Sequence, residues 1–462
     1  MGLRTLLQHS APGLTTFLQR SPVGGRTPTG PRARKWQRLA ETYILGLLLP
    51  GERKSMQPIA SRADADYEAL QQFITDSPWD SEATLEGIIA TMKGSLSGPE
   101  GAILLDDTAL PKKGTRSPGV AMQYSGLKGG VDSSQVAATA LYALPLGPTN
   151  ADAVCWPLGA RLYLPKEWAE DSERRRRAGV PDDVEFRKKW QLGLDLVERA
   201  RRLRIPHRAV VADASYGDTQ EFRIQLRAWK VPYVLHVARK MRVVPEEVVV
   251  HPPGTKPPGR NRVRRRFPWL ARGVRLFAPK ELAGRLPKSA WKTIRWAEGS
   301  KGPMVGRFAR IRVRVIAMHR RPTEEVGWLL IERNSEGLKT WMCWGLDDLS
   351  LEELASVAHL RWAVERGYQE MKSELGWDHF EGRTWNGFHH HAVLTQMAYA
   401  YLAWWRWKNR EDPDVSMPTL PEARRGVVNH VVERLLEEAR TDLGGTLPLG
   451  LHLLAEMVRK GG

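Results

Sequence analysis

Two short apolar runs that end on aspartate constrain this chain more than any other feature. Residues 102–105 (AILL) lead into Asp106-Asp107-Thr108, and residues 207–212 (HRAVVA) end at Asp213. Apolar runs this short, bounded by polar groups, predict buried strands. Further strand-like segments at 135–144, 153–164 and 233–238 alternate with a long amphipathic pattern over 184–203 and a shorter one over 219–229. The order βββαβαβ predicts an α/β domain with a mixed sheet. In open α/β sheets ligands collect beyond the carboxyl ends of strands, where loops converge. Asp107 and Asp213 both stand there, and two carboxylates held together repel unless a divalent cation bridges them. Two-metal phosphoryl-transfer sites are built in this way, although either aspartate taken alone is more often a turn or helix cap.

Charge points to a polyanionic partner. The 462-residue chain carries a net charge of +18, and residues 236–321 alone hold 23 Lys and Arg against four Glu, an excess of +19 that covers the whole net charge. A Pro/Gly-rich loop at 252–260 leads there into Arg262 and Arg264, Arg265 and Arg266. Residues 307–315 (RFARIRVRV) alternate basic and apolar with period two, which predicts a strand with a buried face and an outward row of arginines. Interleaved tryptophans, Trp269, Trp291 and Trp296, suit a nucleic-acid surface. Only Cys155 and Cys343 are present, too few for a disulfide framework or a zinc cluster. The longest apolar run, 43–49, is far shorter than the roughly 20 residues of a membrane helix. A cytoplasmic protein without a membrane partner is the expectation.

Residues 1–35, rich in Ser, Thr, Pro, Gly and Arg, are expected to be a disordered basic arm. Helical spacing of Leu39, Tyr43 and Leu47, then Tyr67, Leu70 and Ile74, then Leu85, Ile88 and Met92, predicts three or four short helices over 36–95. With their basic surroundings they read either as a DNA-binding domain or as a structural cap. Farther on, Arg361, Glu365, Tyr368 and Lys372 share one stripe of a predicted helix whose other flank carries Leu360, Val364, Met371 and Leu375. That polar stripe would face a cleft. His389, His390 and His391 invite a metal reading, but consecutive helical residues point to different sides, so packing or phosphate contact fits them better. The stripe Val428, Val431, Val432, Leu435 and Leu436 predicts a C-terminal helix packed on the core.

In these residues the chain resembles the DDE transposases of bacterial insertion sequences that carry a tyrosine-arginine-glutamate-lysine signature. More closely, it resembles the insertion-sequence family numbered seven hundred and one. The resemblance spans 36–407 and rests on DDTALPKKG at 106–114, VVADASYGD at 210–218 and RWAVERGYQEMKSELGWDHFEGRTWNGFHHH at 361–391. It implies an RNase-H-like catalytic core at 96–240 and 346–410, a β-rich basic insertion at 241–345, and a C-terminal linker and helices at 411–462. By the same resemblance Asp107, Asp213 and Glu365 are the catalytic and metal-binding acids, with Asp106 the second choice for the first position. The implied cofactor is a pair of Mg²⁺ ions, with Mn²⁺ able to substitute. Arg361, Tyr368 and Lys372 would hold DNA phosphates, Arg264 to Arg266 would track the backbone, and Trp296 would stack on a flipped base. The signature tyrosine would fall at 358, where this chain has Ala358. The implied activity is cleavage at the element's ends followed by strand transfer into target DNA, with double-stranded DNA as partner and a homodimer as the synaptic unit. A catalytically silent DNA-binding relic and a nuclease that cuts without joining remain the alternatives.

Overall fold

The computed structural model describes residues 13–25, 30–125, 129–146, 153–238, 241–255, 265–299, 302–335, 337–410 and 417–442. Its centre is the predicted mixed sheet. Strands β1 (Ala102–Pro111), β2 (Ala121–Ser125), β3 (Gly130–Leu144), β4 (Val154–Leu162), β5 (Ala209–Ala212) and β6 (Tyr233–His236) form one side of it. β1 runs antiparallel to β3 and parallel to β5, and β5 parallel to β6. Parallel neighbours need a crossover. It is supplied by α8 (Lys189–Arg202) ahead of β5, and by α9 (Ala214–Gly217) and α10 (Gln220–Ala228) ahead of β6. The apolar runs are buried throughout: Ala102 to Leu105 and Ala209 to Ala212 all have 0% exposure. Helix α8 begins five residues later than the amphipathic pattern over 184–203 predicts, after two short helices, α6 (Lys166–Ala169) and α7 (Ser172–Ala178).

The predicted insertion is indeed rich in strands, but they are not a separate sheet. β7 (Arg242–Pro245), β8 (Val250–His251), β9 (Trp269–Leu270) and α11 (Pro279–Ala283) precede a meander of β10 (Lys292–Gly299), β11 (Gly302–Ala317), β12 (Arg321–Asn334) and β13 (Gly337–Trp344). Through pairing of β13 with β6 the meander continues the core into an eleven-stranded sheet of order β10-β11-β12-β13-β6-β5-β1-β3-β2, with β4 on β3 and β7 on β11. The period-two stretch is β11, yet its arginines differ from the expected outward row. Arg310 stacks 4.2 Å over the Trp328 ring and reaches the Leu349 carbonyl, Arg312 pairs with Glu246 and Asp347, and Arg314 donates to the Thr323 carbonyl. Neighbouring acids and rings neutralise that row within the fold, while Arg307 stays exposed.

On the helical side, α1 (Leu14–Arg20), α2 (Pro31–Leu48), α3 (Met56–Arg62), α4 (Tyr67–Thr75) and α5 (Ser81–Lys93) pack with the sheet in one core. Asp66 and Asp80 cap α4 and α5, each accepting two backbone N–H groups of the first turn. The disordered arm expected at 1–35 is corrected here: α1 buries Leu14, Phe17 and Leu18. The Phe17 ring meets those of Tyr401 and Trp404, a tertiary gain that local composition does not register. Residues 1–12 lie outside the described part. Beyond β13 come α12 (Leu351–His359), with a Ser350/Glu353 capping box, α13 (Arg361–Ser373), α14 (Trp385–Lys408) and α15 (Leu420–Asp442). Helix α14 is buried nearly all round. It is a central core helix. Val428, Val431 and Val432 of α15 are buried as predicted, whereas the side chains of Leu435 and Leu436 lie outside the described part.

The three consecutive histidines are packing residues. His390 lies 3.7 Å from the Trp79 ring and faces the Ile74 and Trp79 carbonyls, and His389 faces the Trp385 carbonyl. His391 meets the Tyr43 hydroxyl through Nδ1 (2.8 Å) and the Trp377 carbonyl through Nε2 (3.1 Å), a pattern that one neutral tautomer satisfies. Burial pulls His391 down to about 3. Between its unfolded value near 6.5 and that figure, the unfolded chain holds a proton the folded chain lacks, so stability falls as pH falls. Urea unfolding at pH 7 and pH 5 is expected to show a loss of up to about 2 kcal/mol from this group alone. His391→Gln, less stable at pH 7, is expected to have the shallower slope. Equal slopes would place the protonated form comfortably inside the fold.

Candidate active site

The site is set by strand register. β1 pairs with β5 up to Leu105↔Ala212, and β5 with β6 up to Ala212↔Leu235. One position further, Asp106, Asp213 and His236 come abreast at the ends of three adjacent parallel strands. Because side chains alternate along a strand, these three share one face and Asp107 takes the other. By this register Asp106 is the same-face neighbour of Asp213, while the Asp213 charge acts on both Asp106 and the sequence-preferred Asp107.

Helix α13 covers the Asp106 face. Arg361 places one guanidinium nitrogen 3.3 Å from Asp106 Oδ2 and pairs through the other with Glu365, one helical turn along. The Asp106 side chain is 16% exposed and that of Glu365 57%. Asp107 N donates to Asp106 Oδ1 at 2.9 Å. Burial pushes the Asp106 carboxyl up to about 7, against the pull of Arg361 and with the help of the Asp213 charge. Asp213 also caps α9, accepting the Ser215 N–H (2.9 Å) and hydroxyl (2.6 Å).

On the opposite face Asp107 is held by α8 and α9. The Tyr216 hydroxyl donates to Oδ1 at 2.7 Å, and Lys189 Nζ lies 3.2 Å from Oδ2. Burial raises this carboxyl as well, and Lys189 opposes it. Lys189, Tyr216 and His236 are the site residues that motif reading passed over. Tyr216 sits inside the DASYG stretch and His236 ends a strand, so position relative to the strand ends was the available signal. Burial lowers His236, and the neighbouring Arg361 charge adds to that, which favours its neutral form.

Several expected DNA contacts are placed elsewhere. Tyr368 is buried, its hydroxyl meeting Thr139 Oγ1, which in turn donates to the Asp106 carbonyl at 2.8 Å. It braces β1 and β3 on the same face as Asp106, since Thr139 is the direct cross-strand partner of Asp106. Trp296 is 8% exposed and lies flat on His359, the last residue of α12, at 3.7 Å, so its ring packs between the insertion and that helix. Lys372 donates to the Ala109 carbonyl at 2.9 Å, which fastens the far end of α13 to β1. Arg265 and Arg266 are exposed, and Arg264 lies outside the described residues.

The donor chemistry around Arg361 fits a hard divalent cation: Asp106, Asp213 and Glu365 bring only carboxylate oxygens, with one guanidinium among three acids. Among the described residues no three acidic, His or Cys side chains are gathered closely enough to hold an ion as they stand. Arg361 pairs with Asp106 and Glu365 at once.

Comparison with known proteins agrees with this architecture. The probable transposase for insertion sequence element IS701 of Microchaete diplosiphon is 28% identical over 194 residues, which is 41% of this chain and 45% of that protein. The shared part is thus less than half the length of that relative. A family model described as DDE superfamily endonuclease matches residues 29–303, more than half of the chain, and takes in Asp106, Asp107 and Asp213 but not α13. With the strand-end acids on the mixed sheet and the family match over the same segment, the chain belongs to the DDE superfamily endonucleases.

Proposed function

We propose that the chain is the DNA transposase of an insertion sequence, cutting at the element's ends and joining the freed ends to target DNA. One observation supports this most: a single guanidinium, Arg361, joins Asp106 to Glu365 while the register sets Asp106 beside Asp213. Asp106, Asp213 and Glu365 would hold the divalent cations that this family generally uses, Mg²⁺ being the natural choice. When bound, such ions stabilise charge on the reacting phosphoryl group and on the attacking and leaving oxygens. Hydrolysis forms a bond from water oxygen to phosphorus, breaks the bond to the 3′ oxygen and leaves a 3′-OH. In strand transfer that 3′-OH replaces water, so one site performs both displacements. Arg361, released from its two carboxylates, would serve as a two-pronged phosphate ligand. The exposed Arg265 and Arg266 would follow the duplex backbone, and a homodimer would bring two ends together.

The test is a nicking and joining assay on duplexes carrying the element's own ends, with Mg²⁺ or EDTA. Metal-dependent nicks with a 3′-OH, followed by joined products, are expected. Glu365→Gln is expected to lose nicking and retain DNA binding. Binding without any nicking, with Mn²⁺ also tried, would make the protein a silent relic; nicking without joining would make it a nuclease. Loss of binding and nicking together in Glu365→Gln would make α13 a structural helix.

A further inference from the structure

We infer that the β2–β3 hairpin and the basic loop before it form a second DNA-binding platform, at the opposite edge of the sheet from the basic insertion, gripping the duplex that flanks the reacting phosphodiester. This rests on the transposase reading above. β2 is the last strand of the sheet, and the hairpin shows an apolar face to solvent: Met122 is 69% exposed, Tyr124 67% and Val131 64%. Tyr124 is paired directly with Val131 and Met122 with Ser133, so all three apolar side chains stand on one face, while Asp132 takes the other. Exposed apolar side chains grouped in this way mark an interaction surface.

What surrounds the patch decides its partner. The Lys112 N–H donates to the Ser133 carbonyl at 2.9 Å, so the chain leaving β1 runs beside β3 at the level where β2 runs on its other side. That chain then carries the exposed Lys113 and Arg116. Helix α7 is fastened to the same loop: Arg174 reaches the Thr115 carbonyl at 3.4 Å, and Trp168 just ahead of α7 donates to the Val120 carbonyl at 2.7 Å. Helix α7 adds the exposed Arg176, while its acid, Glu173, is paired with Arg177. An apolar strand face beside three exposed cations suits a nucleic-acid groove, in which the cations meet phosphates and Met122, Tyr124 and Val131 lean on sugars and base edges.

The spacing ties the platform to the reaction. Lys112 lies six residues beyond Asp106 on the same extended segment, about 20 Å at the usual strand rise. That is the length of about six base pairs of B-form DNA. A duplex lying along β1 from the acidic site would reach Lys113 and Tyr124 about one half-turn away. Here Tyr124 and Met122 are contact residues for flanking DNA and have no part in the chemical step.

The experiment measures anisotropy of the full chain on two labelled duplexes, one ending two base pairs past the cleavage position and one extending twelve base pairs past it. The wild type is expected to bind the longer one more tightly. Lys113→Ala, Arg116→Ala and Arg176→Ala together are expected to erase that gain and to flatten the salt slope by up to about 2.7. Met122→Ala with Tyr124→Ala is expected to weaken the longer duplex roughly tenfold without changing the slope. All five side chains are exposed, and circular dichroism checks that the fold is retained. Variants that match the wild type on both duplexes overturn the platform and leave the transposase reading intact. If the apolar pair instead converts a dimer to a monomer with DNA binding unchanged, the hairpin is a contact between two copies and the proposal is wrong. A wild type that binds no duplex at all overturns the transposase reading and this surface with it.

Discussion

Asp106→Asn is expected to lower metal-dependent nicking by about 10³-fold or more, whereas Asp107→Asn stays within about tenfold of the wild type. The first figure is the several kcal/mol of charge stabilisation that a bound cation supplies, forfeited with a ligand. Both substitutions preserve shape and remove one negative charge, so they differ only in which face of β1 loses it. Asp106 pairs with Arg361, which also holds Glu365; Asp107 pairs with Lys189 and accepts from Tyr216; the Asp213 charge acts on both. In the Asp107 variant Tyr216 can still donate to the amide oxygen, and what is lost is the partner of Lys189. Direct binding of Mn²⁺, followed by its paramagnetic signal, gives a readout independent of turnover: the Asp106 variant is expected to lose it and the Asp107 variant to retain it. The reverse pattern in both assays would return the role to Asp107.

The ambiguity at this pair shows where sequence stops being informative. Hydropathy located β1 and β5 because an apolar run ending on an acid is a local signal, as is the spacing of Arg361, Glu365 and Lys372. Which of two consecutive aspartates meets Asp213 depends on register between strands about a hundred residues apart, and a shift of one position reverses the answer. Tyr368 failed as a cleft residue for a related reason. It shares a helical stripe with Arg361, but that stripe is split by the β1–β3 surface, and Thr139 takes its hydroxyl. The β11 arginines looked presented because alternation reveals a face without revealing what covers it. Glu246 and Asp347 lie 66 and 35 residues from Arg312 in sequence. Helix α1 was missed by the same logic, since its burial depends on Tyr401 and Trp404 at the far end of the chain.

Glu325→Gln is expected to destabilise the fold by about 3–5 kcal/mol, the usual consequence of leaving buried charge without its partner. Glu325, on β12, has a side chain only 1% exposed. Its Oε1 accepts from Arg223 Nε at 2.8 Å and from the Tyr233 hydroxyl at 2.6 Å, and its Oε2 lies 2.5 Å from Arg227 Nη1. Arg223 and Arg227 come from α10 and Tyr233 from β6, so one carboxylate fastens the basic meander to the catalytic half of the sheet. Two guanidiniums around one carboxylate are balanced only while that charge is present. The amide keeps the shape and a hydrogen-bond acceptor but not the charge, which isolates the electrostatic part of the loss. Urea unfolding measures it, and a change below about 1 kcal/mol would mean that water already reaches the cluster. The same variant should also disturb the site: Arg223 donates to the Gly217 carbonyl, at the end of the short helix α9 that Asp213 caps. Replacing Arg223, Arg227 and Glu325 together with apolar residues of similar volume is expected to recover most of the stability. Recovery of stability without recovery of nicking would show that the ionic cluster is retained for the placement of β5 and α9 rather than for the strength of the fold.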